Sequence, residues 1–274
     1  MLFSQTILWR CSRLLSKDRF LSSKASSPFV ESNKLVKSRN VKVPPKYPSF
    51  GSKKPAQNMT QNFKYLLVLD FEATCQENSK GPMLPVQEII EFPVVQLSTT
   101  DWKEVRRFHK YVQPTESPRL STFCTSLTGI IQEMVDDKQP LSEVLAEFDV
   151  WLKEDSRLQP DNFAFVTCGD WDLKVALPNE ANYKKLNVPK YFNQWINVKK
   201  AYAEHTNEFA RGMTQLLKNY NLQLQGRHHS GIDDVANICR IVRCLGTSGH
   251  NYRITSSTQP SNTTRMFRDV PIKR

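Results

Sequence analysis

Residues 66–74 read Leu-Leu-Val-Leu-Asp-Phe-Glu-Ala-Thr, an apolar run that ends in two acids separated by one residue. A short apolar run rich in branched side chains predicts a buried strand. Because side chains alternate along a strand, Asp70 and Glu72 are expected on one face and Phe71 in the packing on the other. Two carboxylates at the end of a buried strand lose solvation and repel each other, and a divalent cation would offset both costs. On this stretch alone, a metal site and an ordinary strand end with solvated acids stand as equal alternatives.

The net charge of +11 is concentrated at the two ends of the chain. Residues 1–60 carry 12 Lys and Arg against 2 Asp and Glu, and residues 251–274 carry 5 against 1. The segment between them holds 21 against 24. This slightly acidic middle argues against a broad basic surface for nucleic acid and suits a domain that holds phosphate through cations.

The six cysteines form neither a CxxC pair nor a zinc-ligand spacing, so we expect reduced thiols. No apolar run approaches the length of a membrane span, and no membrane partner is expected.

Residues 1–25 combine apolar residues at helical spacing with arginines and serines and contain no acid before Asp18. That composition predicts a mitochondrial transit peptide, with a basic leader on a nuclear or cytoplasmic protein as the alternative. Residues 26–62 are expected to be a disordered basic linker, 63–250 the folded domain and 251–274 a basic tail.

The order of elements predicts one α/β domain with a mixed sheet flanked by helices. Strands are expected at 88–98, with Pro93 marking a bulge or an edge, at 104–112 and at 163–167. Helices are expected at 127–135 and 141–152, and around 172–178, 197–205, 213–220 and 232–245.

Two later stretches repeat the pattern of acids at the ends of elements. Asp170 and Asp172 follow the strand at 163–167, and Asp233 and Asp234 open the helix near 232. Acids in a first helical turn have a structural explanation through capping and the helix dipole, and we assign capping to Asp170. Together with Asp70 and Glu72, however, four carboxylates could hold two hard cations about 4 Å apart for displacement at phosphorus. A histidine on the loop before Asp234 could accept the proton of the attacking water.

The arrangement resembles the DEDDh 3′–5′ exonucleases. The residues that match their order and spacing are Asp70-Phe71-Glu72, Asp172, His229 and Asp234. Longer matches resemble the ERI-type exoribonucleases, at residues 69–75, 88–93, 123–124, 127–130, 194–197 and 230–234. The run at 166–174 is most like that of the third, prion-protein-interacting vertebrate member. The resemblance covers about residues 63–250.

This resemblance implies a ribonuclease-H-like fold and removal of nucleoside 5′-monophosphates from RNA with a free 3′ end. It implies two Mg²⁺ or Mn²⁺ ions, with Asp70 on both and His229 as general base. Among the tandem pairs it favours Asp172 over Asp170 and Asp234 over Asp233. The implied metal ligands are Asp70, Glu72, Asp172 and Asp234. The implied substrate contacts are Glu72, Ala73, Phe123, Trp171 and His229. His228 is expected at the surface, since the relatives commonly carry proline there.

Two other functions remain open from the sequence. One is a DNA-directed 3′ exonuclease of the same superfamily, because the choice between RNA and DNA rests on contacts to the 2′-hydroxyl. The other is a catalytically silent RNA-binding or scaffold protein that uses the basic ends. All five catalytic positions of the family are filled here, which disfavours the silent protein.

Overall fold

A computed structural model of the chain describes residues 60–77 and 84–258. The strands are β1 (Tyr65–Leu69), β2 (Glu72–Ala73), β3 (Ile89–Ser98), β4 (Glu104–Tyr111), β5 (Phe163–Thr167), β6 (Gln194–Asn197) and β7 (Ser256–Ser257). The α-helices are α1 (Thr122–Thr128), α2 (Gln132–Val135), α3 (Leu141–Glu154), α4 (Leu177–Lys184), α5 (Val198–Thr206), α6 (Met213–Asn219) and α7 (Gly231–Thr247). A π-helical turn (Asp172–Ala176) precedes α4, and a 3₁₀ turn (Lys190–Asn193) precedes β6.

The seven strands of the described part form one mixed sheet. β1 lies between antiparallel β3 and parallel β5, and β6 continues the parallel part beside β5. β4 flanks β3 and β7 flanks β6, both antiparallel. Helices flank this sheet, so the α/β prediction with a mixed sheet is confirmed.

The alternation of side chains along β1 divides the core into two layers. Leu66 and Val68 pack with apolar residues of α5, α6 and α7, while Leu67 and Leu69 pack with those of α3 and α4. All four side chains are fully buried. Burial of this kind is worth about 1.5–3 kcal/mol for each large aliphatic side chain. Phe71 belongs to the second layer, as predicted, which leaves the acids around it directed away from that layer.

Most predicted elements are confirmed, and two differ for identifiable reasons. The helix predicted at 127–135 is interrupted, because the left-handed backbone of Gly129 (φ 79°) ends α1 at Thr128 and α2 begins only at Gln132. Pro93 is neither at an edge nor at a bulge. It lies inside β3 opposite His109, between Glu91, which pairs with β2, and Val94, which pairs with β1. Along one side β3 pairs with β2 up to Glu91 and with β1 from Val94 onward. Proline, which has no N–H to donate, fits the position between these two pairings.

The folded unit extends past the boundaries predicted at 63 and 250. The Gln61 side chain donates to the carbonyl of His250 and accepts from the amide of Tyr252, at 2.8 and 3.0 Å. The strand β7 pairs with β6. The predicted transit peptide (1–25), nearly all of the linker (26–62) and most of the tail (251–274) lie outside the described residues. Among the residues described, no helix is both long and apolar enough to cross a membrane.

Candidate active site

Three carboxylates meet beside the carboxyl end of β1. Asp70, Glu72 and Asp234 each offer an oxygen, and these atoms all lie within 4.8 Å of one another. The three residues are buried, at 5%, 8% and 3% exposure. Asp70 and Glu72 come from the end of β1 and from β2, while Asp234 comes from the first turn of α7. An all-oxygen set of clustered acids fits hard divalent cations such as Mg²⁺ or Mn²⁺.

The amino end of α7 is docked onto the sheet by Glu91. This glutamate on β3 is buried, and its carboxylate accepts from the amides of Gly231 and Ile232 at 2.8 and 3.1 Å. It therefore satisfies two of the helix's unpaired N–H groups and lies at the positive end of its dipole. A Cβ on Gly231 would come within 2.9 Å of the carbonyl oxygen of Asp70, so only glycine permits this approach. Glu91 and Gly231 thus set the distance between Asp234 and Asp70.

Asp172 reaches the same edge of the sheet by another route. It is fully buried at the start of the π-helical turn, and its Oδ1 accepts from the amide of Phe71 at 3.0 Å. It is not part of the 4.8 Å carboxylate group formed by the described residues, but its bond to Phe71 ties it to the backbone between Asp70 and Glu72. A π-helical turn at this place is consistent with a functional constraint.

The other member of each tandem pair has a structural role. Asp170 does not cap a helix with its side chain, so the capping assignment is wrong. Its carboxylate accepts from Trp195, Asn197 and Ser256, and its Oδ2 lies 2.9 Å from the Lys200 ammonium. Burial raises the pKa of Asp170, but the hydrogen bonds and Lys200 outweigh it and lower the pKa to about 2. Because Trp195 and Asn197 lie on β6 and Ser256 on β7, Asp170 fastens both strands.

Asp233 is likewise turned away from the carboxylate group. Its Oδ2 accepts from the amide of Arg227 at 2.8 Å. The Arg227 guanidinium reaches the carbonyls of Ser126 and Leu127 at the end of α1. Asp233 therefore holds the loop before α7, and Asp234 alone of the pair joins Asp70 and Glu72.

His229 lies on that loop with a left-handed backbone (φ 67°). Its amide donates to Asp234 Oδ2 at 3.0 Å, and one of its ring nitrogens lies within 4.8 Å of an Asp234 carboxylate oxygen. His228 is not a plain surface residue. Its Nδ1 is 3.0 Å from Asp234 Oδ2, and its ring stacks on that of His229 with centroids 4.0 Å apart. The two histidines and Asp234 form a second group within 4.8 Å.

Three further residues predicted to contact substrate lie on β2, on α1 and directly before Asp172. Ala73 is buried on β2, and the thiol of Cys124 on α1 lies 3.7 Å from its carbonyl. Phe123 is half-buried on α1 and packs against the small cluster that includes Cys75 and Cys124. Trp171 is half-buried and immediately precedes Asp172.

Sequence reasoning did not find Glu91, Gly231 and His228 as parts of this site. One signal for Glu91 was available, since an acid within the apolar run of a central strand has to find a partner. The contact of His228 with Asp234 depends on the left-handed turn at His229, which the sequence pattern does not specify.

Comparisons with known proteins give consistent results. The RNase_T family model, described as Exonuclease, matches residues 67–242. Human ERI1 exoribonuclease 3 is 46% identical over 198 residues, which cover 72% of this chain and 58% of that protein. The 3′-5′ exonuclease Snipper of Drosophila melanogaster is 37% identical over 221 residues, covering 76% and 79%. The chain thus spans somewhat more than half the length of the ERI1 exoribonuclease 3 proteins.

A solved structure is similar over the same region. The nuclease domain of 3′hExo, described as a DEDDh family member bound to rAMP, has a TM-score of 0.67 and 33% sequence identity. The match covers 71% of this chain and 98% of that domain.

Proposed function

The chain belongs to the RNase_T exonuclease family, and from this membership we propose that it is a divalent-cation-dependent 3′–5′ exoribonuclease. The predicted ERI-type family and ribonuclease-H-like fold are confirmed, and the ERI1 exoribonuclease 3 proteins are more similar than Snipper. The proposed reaction releases nucleoside 5′-monophosphates one at a time from RNA with a free 3′ end.

The observation that carries this proposal is the buried carboxylate group of Asp70, Glu72 and Asp234. Like charges removed from water require positive charge, and an oxygen-only set selects Mg²⁺ or Mn²⁺. We assign Asp70 to two ions, Glu72 and Asp234 to the first and Asp172 to the second. When bound, such ions supply positive charge at the phosphate and at the leaving oxygen.

In this proposal His229 is the general base. The support is the bond from its amide to Asp234 Oδ2 and a ring nitrogen within 4.8 Å of an Asp234 oxygen. From there a ring nitrogen would take the proton of the attacking water, and an imidazole suits proton transfer near neutrality.

The terminal nucleotide would lie against Glu72, Ala73, Phe123, Trp171 and His229. α1 carries Phe123 and is joined to the end of β2, since the Ser121 hydroxyl donates to the carbonyl of Cys75 at 2.6 Å. Trp171 is half-buried and immediately precedes Asp172 in the chain. Half-buried aromatic rings at these places suit stacking on a base, which is worth about 1–3 kcal/mol per base.

Product analysis tests the proposal. Single-stranded RNA labelled at the 5′ end should give a ladder shortened from the 3′ end, and 3′-labelled RNA should give a labelled mononucleotide from the start. Chelator should abolish both, and circular RNA should resist.

His229→Ala should abolish turnover and leave cation binding intact. Asp172→Asn should remove activity while Asp170→Asn, its matched control, retains it. Cleavage of circular RNA, or turnover that survives chelation, would contradict the proposal.

A DNA-directed 3′ exonuclease is the second candidate. Snipper is described as a 3′-5′ exonuclease without a named polymer, and it is similar over 76% of this chain. RNA and DNA strands of one sequence distinguish the two, because only RNA offers a 2′-hydroxyl. Equal or faster shortening of DNA would favour this second function. A silent RNA-binding protein would bind the strands and leave both intact.

We also propose that residues 1–25 direct the protein to mitochondria. The support is their acid-poor, Arg- and Ser-rich composition. Incubation of the full chain with isolated mitochondria should yield a protease-protected form shortened by about 20 residues. An unshortened protein found in the nucleus or cytoplasm would contradict this.

A further inference from the structure

The buried carboxylate of Glu91 has a third partner besides the two amides of α7. His109 on β4 places its ring nitrogen Nε2 2.8 Å from Glu91 Oε1. This nitrogen has to carry a proton, because a bare ring nitrogen and a carboxylate would both be acceptors. His109 therefore donates to Glu91 whether its ring is neutral or charged.

Three donors together fix the orientation of this carboxylate. Oε1 accepts from His109 and from the amide of Ile232, and Oε2 accepts from the amide of Gly231. Glu91 is 1% exposed, so its charge is compensated by these bonds instead of bulk water. Removing one donor from a buried charged group leaves part of its desolvation uncompensated.

His109 is itself held in place on the sheet. It lies opposite Pro93 in the pairing of β4 with β3. Tyr111, two residues further along β4, meets the His109 ring edge-on with centroids 5.1 Å apart. The His109 side chain is 27% exposed and that of Glu91 1%, so His109 lies on the solvent side of the pair.

The amides that Glu91 accepts from belong to the turn of α7 that carries Asp234. This turn runs so close to β1 that a Cβ on Gly231 would come within 2.9 Å of the carbonyl oxygen of Asp70. A small shift of the turn therefore changes the separation of Asp234 from Asp70. Residues that orient metal ligands from behind affect cation affinity strongly.

We propose that His109 is a positioning residue for the candidate metal site, acting through Glu91 and the first turn of α7. It would touch neither the RNA nor the cation. Its Nε2–H would hold Glu91 in the orientation that keeps Asp234 beside Asp70 and Glu72. The expected effect on cation binding needs only the carboxylate group, and the expected effect on hydrolysis rests on the proposed function.

Binding is tested with Mn²⁺ and the metal-free full chain without RNA, from the electron paramagnetic resonance signal of the free ion. His109→Leu and His109→Phe both remove the donor, and the second keeps a ring beside Tyr111. His109→Gln keeps a side-chain N–H donor. His205→Leu, at an exposed histidine on α5, is the matched control. Urea unfolding shows which variants are folded under the conditions of the titration.

We expect the donor-free variants to raise the Kd for Mn²⁺ at least about tenfold, since changing residues that support a metal ligand costs about 10- to 100-fold. His109→Gln and His205→Leu should bind Mn²⁺ nearly as tightly as wild type. A folded donor-free variant that binds like wild type would overturn the proposal, and so would His109→Gln binding as weakly as His109→Leu. Failure of both donor-free variants to fold would make His109 a structural residue and overturn it as well.

A double-mutant cycle tests the route through Glu91. Glu91→Met removes the acceptor at similar volume. In that background His109→Leu should change the Kd for Mn²⁺ little further, because residues joined in one network have non-additive effects. Effects that multiply independently would overturn the route.

Hydrolysis is followed with labelled RNA over a range of Mn²⁺ concentrations. The Mn²⁺ concentration that gives half of the maximal rate should rise at least about tenfold in His109→Leu. The KM for RNA at saturating Mn²⁺ should stay that of wild type. A raised KM with an unchanged Mn²⁺ requirement would make His109 an RNA contact and overturn the proposal. If wild type shortens no RNA, the proposed function fails, while the Mn²⁺ titration still decides the role of His109.

Discussion

Buried acids are gathered in two regions of this molecule, and they obtain positive charge in different ways. Near the start of β3, Glu88 and Glu180 are both fully buried, and the Lys184 ammonium lies 2.7 Å from each. Glu88 also accepts from the amides of residues 115, 116 and 117. At the end of β1, Asp70, Glu72 and Asp234 bring three carboxylates within 4.8 Å.

The difference separates a structural charge group from a functional one. Burial raises the pKa of Glu180, which shows how unfavourable its charge is even beside Lys184. The first group carries its cation within the chain and holds β3, α4 and the loop after β4 together. The second suits a cation that arrives from solvent, which is what an exchangeable catalytic metal requires. Four predictions test this contrast, from the largest expected effect to the smallest.

Removing Lys184 should destabilise the fold most. Lys184→Met leaves two buried glutamates without their cation, and breaking a buried pair costs about 3–5 kcal/mol. The free energy of unfolding in urea measures this. Lys218→Met, at an exposed lysine on α6, is the control and should change stability by less than about 0.5 kcal/mol. A Lys184→Met protein as stable as its control would remove the structural role of the first group.

Removing one acid of the second group should lower the activity without lowering the free energy of unfolding. Asp70→Asn should lower the rate of RNA shortening by about 10²–10³-fold, because metal charge is worth several kcal/mol in the transition state. Without added cation its unfolding free energy should equal or exceed that of wild type, since a like charge is gone. Single-turnover rates and urea unfolding measure the two effects. A large loss of stability would make Asp70 a structural residue like Glu88.

A methyl group at Gly231 tests whether the close approach of α7 to the sheet positions Asp234. Gly231→Ala would press on the carbonyl of Asp70 and on Glu91, and overpacking costs about 1–3 kcal/mol. Activity should fall together with stability, because Asp234 moves away from Asp70. Gly212→Ala is the control, as nothing lies within 4 Å of its added Cβ. Equal behaviour of both variants would show that the docking of α7 does not position the site.

The smallest effect is expected at Asp170, which belongs to neither group and whose carboxylate is held by donors within the chain. Its folded pKa of about 2 is below the unfolded value, so its contribution is present above about pH 4 and is lost as the pH falls towards 2. The shift corresponds to about 2 kcal/mol. The difference in unfolding free energy between wild type and Asp170→Asn should therefore shrink from pH 5 towards pH 2. A difference that stays constant over this range would contradict the assignment.

The sequence predicted the strands and the long helices because their apolar spacing is determined locally. It missed the break at Gly129 because a left-handed residue inside an apolar run leaves the helical spacing of its neighbours unchanged. It also missed the strand β6, whose four residues are too short for a periodic signal.

At the site, three of the four acids selected by the sequence motif meet within 4.8 Å, and the motif could not show what holds them. Asp172 is held by Phe71, between β1 and β2, and Asp170 by donors on β6 and β7. The capping assignment for Asp170 failed because those donors are distant in sequence. The surface position expected for His228 failed for a similar reason, since the turn at His229 and the first turn of α7 together bring it to Asp234. The roles assigned to Asp70, Glu72, Asp172, Asp234 and His229 remain predictions.

The most direct test is the unfolding free energy of wild type and Asp70→Asn with and without Mn²⁺, in the absence of RNA. A cation that fills the carboxylate group stabilises the fold by about 2.7 kcal/mol at a concentration of 100 times its Kd. We predict this gain for wild type and none for Asp70→Asn. A wild-type protein that gains nothing, or a variant that gains as much, would contradict the claim that these acids are built to receive a cation.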